Sequence, residues 1–318
     1  MPLRIKIKKF YLSKLSIFRS LPALVIMLTL VSYCQAPEIT FKECMYELGR
    51  PDHRYALPHS LEEISGISWM GKEKLVCIED ENGIIYVYSL EDEKVTDTRK
   101  FDKDGDYEDI EVIGNTVYVL LSKGDIFRVK NFQKDELKVK RYKTRLSKKN
   151  NAEGMAYDFL EHRLLIALKG SPAVDKEKPF KGYRAVYAFD IEAEQLAQEP
   201  VYLVDLRSID SYRDQGSFTQ FSSKLARILG ITDPYANFRP SGIAVHPLTG
   251  EIYIISSVGK LLVVLDREGL VLGVQALDPV LYKQPEGICF SPGGDLYISS
   301  EGRGGKGYIL KFKPKPDG

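Results

Sequence analysis

Along most of the chain, apolar residues come in short runs rich in β-branched and aromatic side chains, cut by Gly, Pro and Asp. Lys74–Ile78, Thr116–Leu121, Arg163–Leu168, Glu251–Ser256 and Leu296–Ser299 are such runs, and their composition and boundaries predict strands. Ahead of each lies another apolar stretch that opens on a recurring tetrapeptide. The five copies are Ile64-Ser65-Gly66-Ile67, Tyr107-Glu108-Asp109-Ile110, Ala152-Glu153-Gly154-Met155, Pro240-Ser241-Gly242-Ile243 and Pro285-Glu286-Gly287-Ile288. Their third positions fall at 66, 109, 154, 242 and 287, so the intervals are 43, 45, 88 and 45. Because 88 is twice 44, one repeat of about 44 residues with a single long interval accounts for all five. After each second strand a turn leads to a third apolar run: Ile84–Tyr88, Asp125–Val129, Ala185–Phe189, Lys260–Leu265 and Gly307–Phe312. A more polar fourth strand closes the unit, as at Lys94–Lys100 and Lys138–Tyr142.

Four antiparallel strands in 40 to 45 residues is the arithmetic of a propeller blade. Inner strands packed on both faces need apolar residues throughout, whereas an outer strand half in water tolerates polar ones. The fold class predicted is therefore all-β, a single β-propeller over residues 43–318 with five blades, six being the alternative if the long interval hides a degenerate blade. Against a sixth blade, residues 206–238 read poorly as strands. Phe218, Phe221, Leu225, Ile228 and Leu229 recur at helical spacing within Ser217–Gly230, which predicts a short helical insertion after the third blade. The last repeat lacks a fourth strand, and residues 43–57 are expected to supply it, covering an edge that would otherwise be open.

The first 33 residues stand outside this pattern. Arg4, Lys6, Lys8, Lys9, Lys14 and Arg19 precede an apolar run from Leu21 to Val31, the layout of a secretory signal peptide and shorter than a spanning helix needs. Leu30-Val31-Ser32-Tyr33-Cys34 resembles a lipobox, with Tyr33 where a small residue is usual. Cleavage before Cys34, lipidation of that cysteine and a tether over residues 34–42 are the expectation. This predicts an exported protein, in the periplasm or on the outer surface and held to a membrane by its lipid. Removing the six leader cations from 45 basic and 44 acidic residues leaves a net charge of about −5, which offers nucleic acid no footprint. Cys44, Cys77 and Cys289 have no metal-ligand spacing and are odd in number, so no disulfide framework follows. The four histidines are likewise scattered.

Taken in this order, Glu63-Ile64-Ser65-Gly66-Ile67, Gly105-Asp106-Tyr107-Glu108-Asp109-Ile110, Asn151-Ala152-Glu153-Gly154-Met155 and Gln284-Pro285-Glu286-Gly287-Ile288 resemble the SdiA-regulated family of bacterial β-propellers. The resemblance extends over roughly residues 60 to 314. It implies the propeller fold and an exported or membrane-attached location, and it implies no established reaction.

In a propeller the first strand of each blade lines the central channel, so equivalent positions converge at one mouth. The residue before each marker gives a ring of Ser65, Glu108, Glu153, Ser241 and Glu286. Ends of the second strands approach the same mouth, bringing Glu79, Asp80, Ser122, Lys169, Ser256, Ser257, Ser299, Ser300 and Glu301; Arg239 and Arg303 are neighbours in this scheme. Glu108, Glu153, Glu286, Asp80, Lys169, Ser257, Glu301 and Arg303 are the candidate ligand-binding residues. Crowded carboxylates either raise one another's pKa or hold a cation, and an all-oxygen set favours Ca²⁺. Glu108, Glu153 and Glu286 are the candidate calcium ligands; the alternative is that they accept backbone amides of neighbouring blades. No Gly-x-Ser-x-Gly marks a catalytic serine, and Gly302–Gly307 joins two predicted strands instead of opening a helix. The leading expectation is a monomeric binding module for a small molecule, glycan or envelope protein. A metal-dependent hydrolase of phosphoesters or lactones is the alternative.

Overall fold

The computed structural model describes residues 44–134, 136–174, 180–213 and 238–316. Strand β1 (His53–Ala56) precedes the first blade, β2 to β5 (Ile64–Gly71, Lys74–Glu79, Ile84–Ser89 and Lys94–Lys100). The second blade is β6 to β9 (Tyr107–Ile113, Thr116–Leu121, Ile126–Lys130 and Lys138–Tyr142). The third has β10 (Ala152–Asp158), β11 (Arg163–Leu168) and β12 (Tyr183–Asp190). Its outer position is shared by two short strands, β13 (Gln195–Leu196) and β14 (Tyr202–Asp205), both paired with β12. Helix α1 (Leu206–Arg213) follows directly. The fourth blade is β15 to β18 (Gly242–Val245, Ile252–Ser256, Leu261–Leu265 and Val271–Ala276). The fifth is β19 (Pro285–Phe290), β20 (Leu296–Ser300) and β21 (Tyr308–Phe312), with β1 added antiparallel to β21, His53 opposite Lys311 and Ala56 opposite Tyr308.

The fold is thus all-β, five four-stranded antiparallel blades, and the long sequence interval holds a helix, not a sixth blade, among the described residues. Helix α1 begins where the insertion was expected; the helix predicted for Ser217–Gly230 lies outside the described residues. The fourth strand of the last blade comes from the N-terminal side, as the repeat required.

Alternation along the middle strands explains why they are apolar on both faces. In β3, Leu75 and Cys77 pack towards the fifth blade while Val76 and Ile78 pack towards the second. The same division recurs around the ring, giving five hydrophobic clusters, one at each junction between neighbouring blades. The outermost strand β5, with one face in water, alternates between exposed and half-buried residues. Cys77 and Cys289 are buried members of these clusters.

The repeated tetrapeptide has two structural jobs. In the first, second, third and fifth blades the inner strand is bulged at the marker, between Ile64 and Gly66, Tyr107 and Asp109, Ala152 and Gly154, and Pro285 and Ile288. The bulge frees Ser65, Glu108, Glu153 and Glu286 from the ladder and re-aims their side chains. The marker itself lies where inner strands nearly touch. A Cβ on Gly154 would stand 2.9 Å from the Ile243 amide nitrogen of the next blade, and one on Gly287 would stand 2.9 Å from that of Ile67. In the second blade the marker is Asp109, whose carboxylate occupies this constriction: Oδ1 accepts the Ile110 amide (2.8 Å) and Oδ2 the Met155 amide of the third blade (2.7 Å).

Candidate functional site

Glu108, Glu153 and Glu286, raised on their bulges, share one end of the channel. Glu153 and Glu286 are buried and Glu108 is half-buried. Lys169, the first residue past β11, is held by its amide to the Asn151 carbonyl (2.9 Å) and donates from Nζ to Glu153 Oε2 at 3.0 Å. Asn151 Nδ2 donates to the other carboxylate oxygen at 2.5 Å. Glu153 is therefore the member of the three with a dedicated cation.

The electrostatics follow from that arrangement. Burial, then the charges of Glu153 and Asp106, push Glu108 well above the usual carboxylate range. Burial, followed by the Glu153 charge, lifts Glu286 to about 8, and Lys169 relieves only part of this. Glu153 is itself raised, burial outweighing its bonds to Lys169. Burial works against the Lys169 ammonium, but Glu153, Glu286 and Glu108 outweigh it and hold the lysine charged. Raised carboxyls at Glu108 and Glu286 and the Glu153–Lys169 pair are how this mouth accommodates three crowded acids.

Towards the first blade the acidic field continues. Burial, then Glu63 and Glu79, raise Asp80 to about 6, and burial, then Asp80 and Glu63, raise Glu301 to about 7. Asp80 Oδ1 is buried without a hydrogen-bond partner among the described residues. Arg303 lies on the β20–β21 turn, its Nε donating to Gln284 Oε1 at 2.7 Å, and its charge is felt at Glu301. The structure thus gathers Glu108, Glu153, Glu286, Lys169, Asp80, Glu301 and Arg303 into one electrostatic neighbourhood.

Other expected members serve the scaffold. The Ser257 amide donates to Ser241 Oγ (3.1 Å), and Ser241 Oγ donates on to the Pro285 carbonyl (2.8 Å), stitching the fourth blade to the fifth. Ser299 Oγ accepts the Gly287 amide (2.8 Å), and Ser122 Oγ donates to the Asp106 carboxylate. Glu79 turns away to cap its own hairpin, accepting the Asn82 amide at 2.7 Å. Backbone amides of neighbouring blades are bound by carboxylates, but by Asp109 and Glu111, the Glu111 Oε2 taking the Tyr157 amide at 3.1 Å. Among the described residues, no three or more His, Cys, Asp or Glu side chains stand close enough to hold a metal ion.

Lys260 escaped the sequence reading, which placed it only as the start of a strand. It is 3% exposed and donates from Nζ to the carbonyls of Ser257 and Lys283, both at 2.7 Å. Burial, reinforced by Arg303 and opposed by Glu286 and Glu301, pulls its pKa down to about 8. A lysine heading the otherwise apolar run Leu261–Leu265 was the available clue, since such a position is seldom exposed at both faces.

Fold and site together define a five-bladed β-propeller with an acidic channel mouth. The sequence profile of the SdiA-regulated family matches residues 49–239, more than half of the chain, and the chain belongs to that family. No curated protein matches it in sequence. Among solved structures it is similar to the PQQ-bound aldose sugar dehydrogenase of Streptomyces coelicolor, at 13% identity over 84% of this chain and 98% of that one, with a TM-score of 0.49. It is also similar to the glutaminyl cyclase of Myxococcus xanthus, at 13% identity over 83% and 95%, TM-score 0.49, and to a candidate gluconolactonase, at 12% identity over 81% and 77%, TM-score 0.46. At this distance no activity passes from them to this chain.

Proposed function

We propose that this chain is a non-catalytic binding module of the cell envelope that takes a small hydroxyl-rich ligand, a sugar or polyol, at its acidic mouth. The observation that carries the reading is the imbalance between three crowded carboxyl groups and the single ion-paired cation Lys169. Glu108 and Glu286 then meet a ligand as carboxylic acids, each with one hydroxyl donor and acceptor capacity to spare, beside a carboxylate and an ammonium. Such a mixture suits the alternating donors and acceptors of a polyol, and it offers no excess charge to a highly charged partner. Export and attachment through Cys34 belong to the same proposal and rest on the basic leader and apolar run; a Cys34→Ser chain is expected to move from the membrane to the soluble fraction.

Calorimetry of the mature protein with a panel of monosaccharides and inositols, run beside CaCl₂ in buffers of different ionisation enthalpy, tests the site. The expected result is saturable sugar or polyol binding without proton release, weakened at least tenfold in Lys169→Met, where the carboxyl groups lose their cation. Calcium binding that expels protons, with no response to any polyol, would overturn this reading and restore the three glutamates as metal ligands. The hydrolase reading needs a metal with an open position and a base near its water; no observation at this mouth favours it.

A further inference from the structure

The other end of the channel is built from the same five inner strands and has a different character. Past the constriction, Trp69, Tyr157, Val245, Pro247, Phe290 and Pro292 line a cavity of about 230 Å³. Exposed Leu160 and Leu248 stand on the adjoining β10–β11 and β15–β16 turns of this face. Its polar feature is the pair of Glu111 and Ser68. Ser68 Oγ donates to Glu111 Oε1 (2.6 Å) and accepts the Val112 amide (3.0 Å), which also reaches Glu111 Oε1 (3.1 Å). Among the described residues, Glu111 Oε2 accepts the Tyr157 amide alone, at 3.1 Å.

We infer that this cavity is a second binding site, for a single aromatic ring carrying one hydrogen-bond donor. The walls supply ring and proline faces that favour a flat apolar body. The volume fits one ring in place of an extended ligand. A carboxylate has about four acceptor positions, and three are filled here, so Oε2 keeps one for an incoming N–H or O–H. Ser68 is already donating, so the polar end of the cavity offers an acceptor and no free hydroxyl proton. Ligands whose polar atom only accepts find no partner there.

The chain has one tryptophan, and it lies in this wall, so selective excitation of Trp69 reads the cavity alone. Phenol and anisole are the probes, equal in ring and differing in the donor. Phenol is expected to change Trp69 emission saturably and to bind roughly tenfold tighter than anisole, the increment of one hydrogen bond to the Glu111 carboxyl oxygen. Val245→Phe, which fills a half-exposed part of the wall, is expected to abolish the phenol response while its thermal melt stays cooperative. A response to phenol that never saturates, or equal affinities for the two probes in the unaltered protein, would overturn the inference; both hold whether or not the variant folds.

Discussion

The two mouths of one channel are made by the same five strands, separated by a few residues, yet one is lined by carboxyl groups and the other by aromatic rings. The difference lies in the backbone. At the acidic end four of the five strands are bulged, so neighbouring residues escape strict alternation: Glu108 joins the mouth while Asp109, next in sequence, fills the constriction. Past the bulge the register runs unbroken from Gly66 to Trp69 and from Asp109 to Ile113, so Ser68 and Glu111, each two residues past its marker, take equivalent places at the far end, with Trp69, Tyr157 and Phe290 beside them. A one-residue insertion thus sets polar chemistry at one end without disturbing the apolar register at the other.

The sharpest way to break this comparison is at the boundary between its halves. Asp109→Ala leaves the Met155 and Ile110 amides without partners in the packed axis, and denaturant unfolding is expected to show a loss of about 2–5 kcal/mol. Glu108→Gln, one residue away, is expected to raise stability at neutral pH, because the native carboxyl must take up a proton on folding and the amide need not. Gly287→Ala comes next: its Cβ would meet the Ile67 amide nitrogen of the adjoining blade at 2.9 Å, and overpacking of this kind costs about 1–3 kcal/mol, read as a lower melting temperature.

The pH dependence separates the carboxyl groups from Lys260. Glu286 has a folded pKa near 8, above its ordinary 4.5, so the unfolded chain releases its proton first and stability drains away as pH climbs between those values. Glu286→Gln is expected to flatten that fall by about 1–3 kcal/mol in melts taken across the window. Lys260 has the opposite sign. Its folded pKa is near 8, below 10.5, so stability rises as pH climbs from 8 to 10.5, and Lys260→Met is expected to remove the rise. The smallest effect sets the baseline: Lys100→Ala, which breaks an exposed pair with Asp104, is expected to change stability by less than about 0.5 kcal/mol.

The repeat interval and the doubly apolar middle strands made the propeller legible, because blade packing imposes both on every copy. The glutamate ring was legible for the same reason, as a position that recurs. What could not be read was the partition of labour between Glu108, Asp109 and Glu111. Sequence places three acidic residues within one strand, but only the bulge decides which faces the mouth, which ties blades together and which borders the far cavity. Lys260 was hidden by a related ambiguity, since a strand-edge lysine and a buried one look alike until the turn Ser256–Gly259 folds its carbonyl over the ammonium. Ser241 and Ser299, expected at the channel mouth, satisfy backbone groups at the bulge of the fifth blade.

The pairing of β1 with β21 also has a kinetic meaning. The ring is a clasp whose two halves are His53–Ala56 and Tyr308–Phe312, the first made before the other four blades and the second after them. Until the late half arrives, four blades form an open arc with an exposed apolar blade face at each end, and β1 is a strand without a sheet. A chain in that state is exposed to capture by a neighbour's β21, which would yield linked rings in place of closed ones. Delivery of the whole chain before the clasp shuts is thus a requirement that the topology places on the cell.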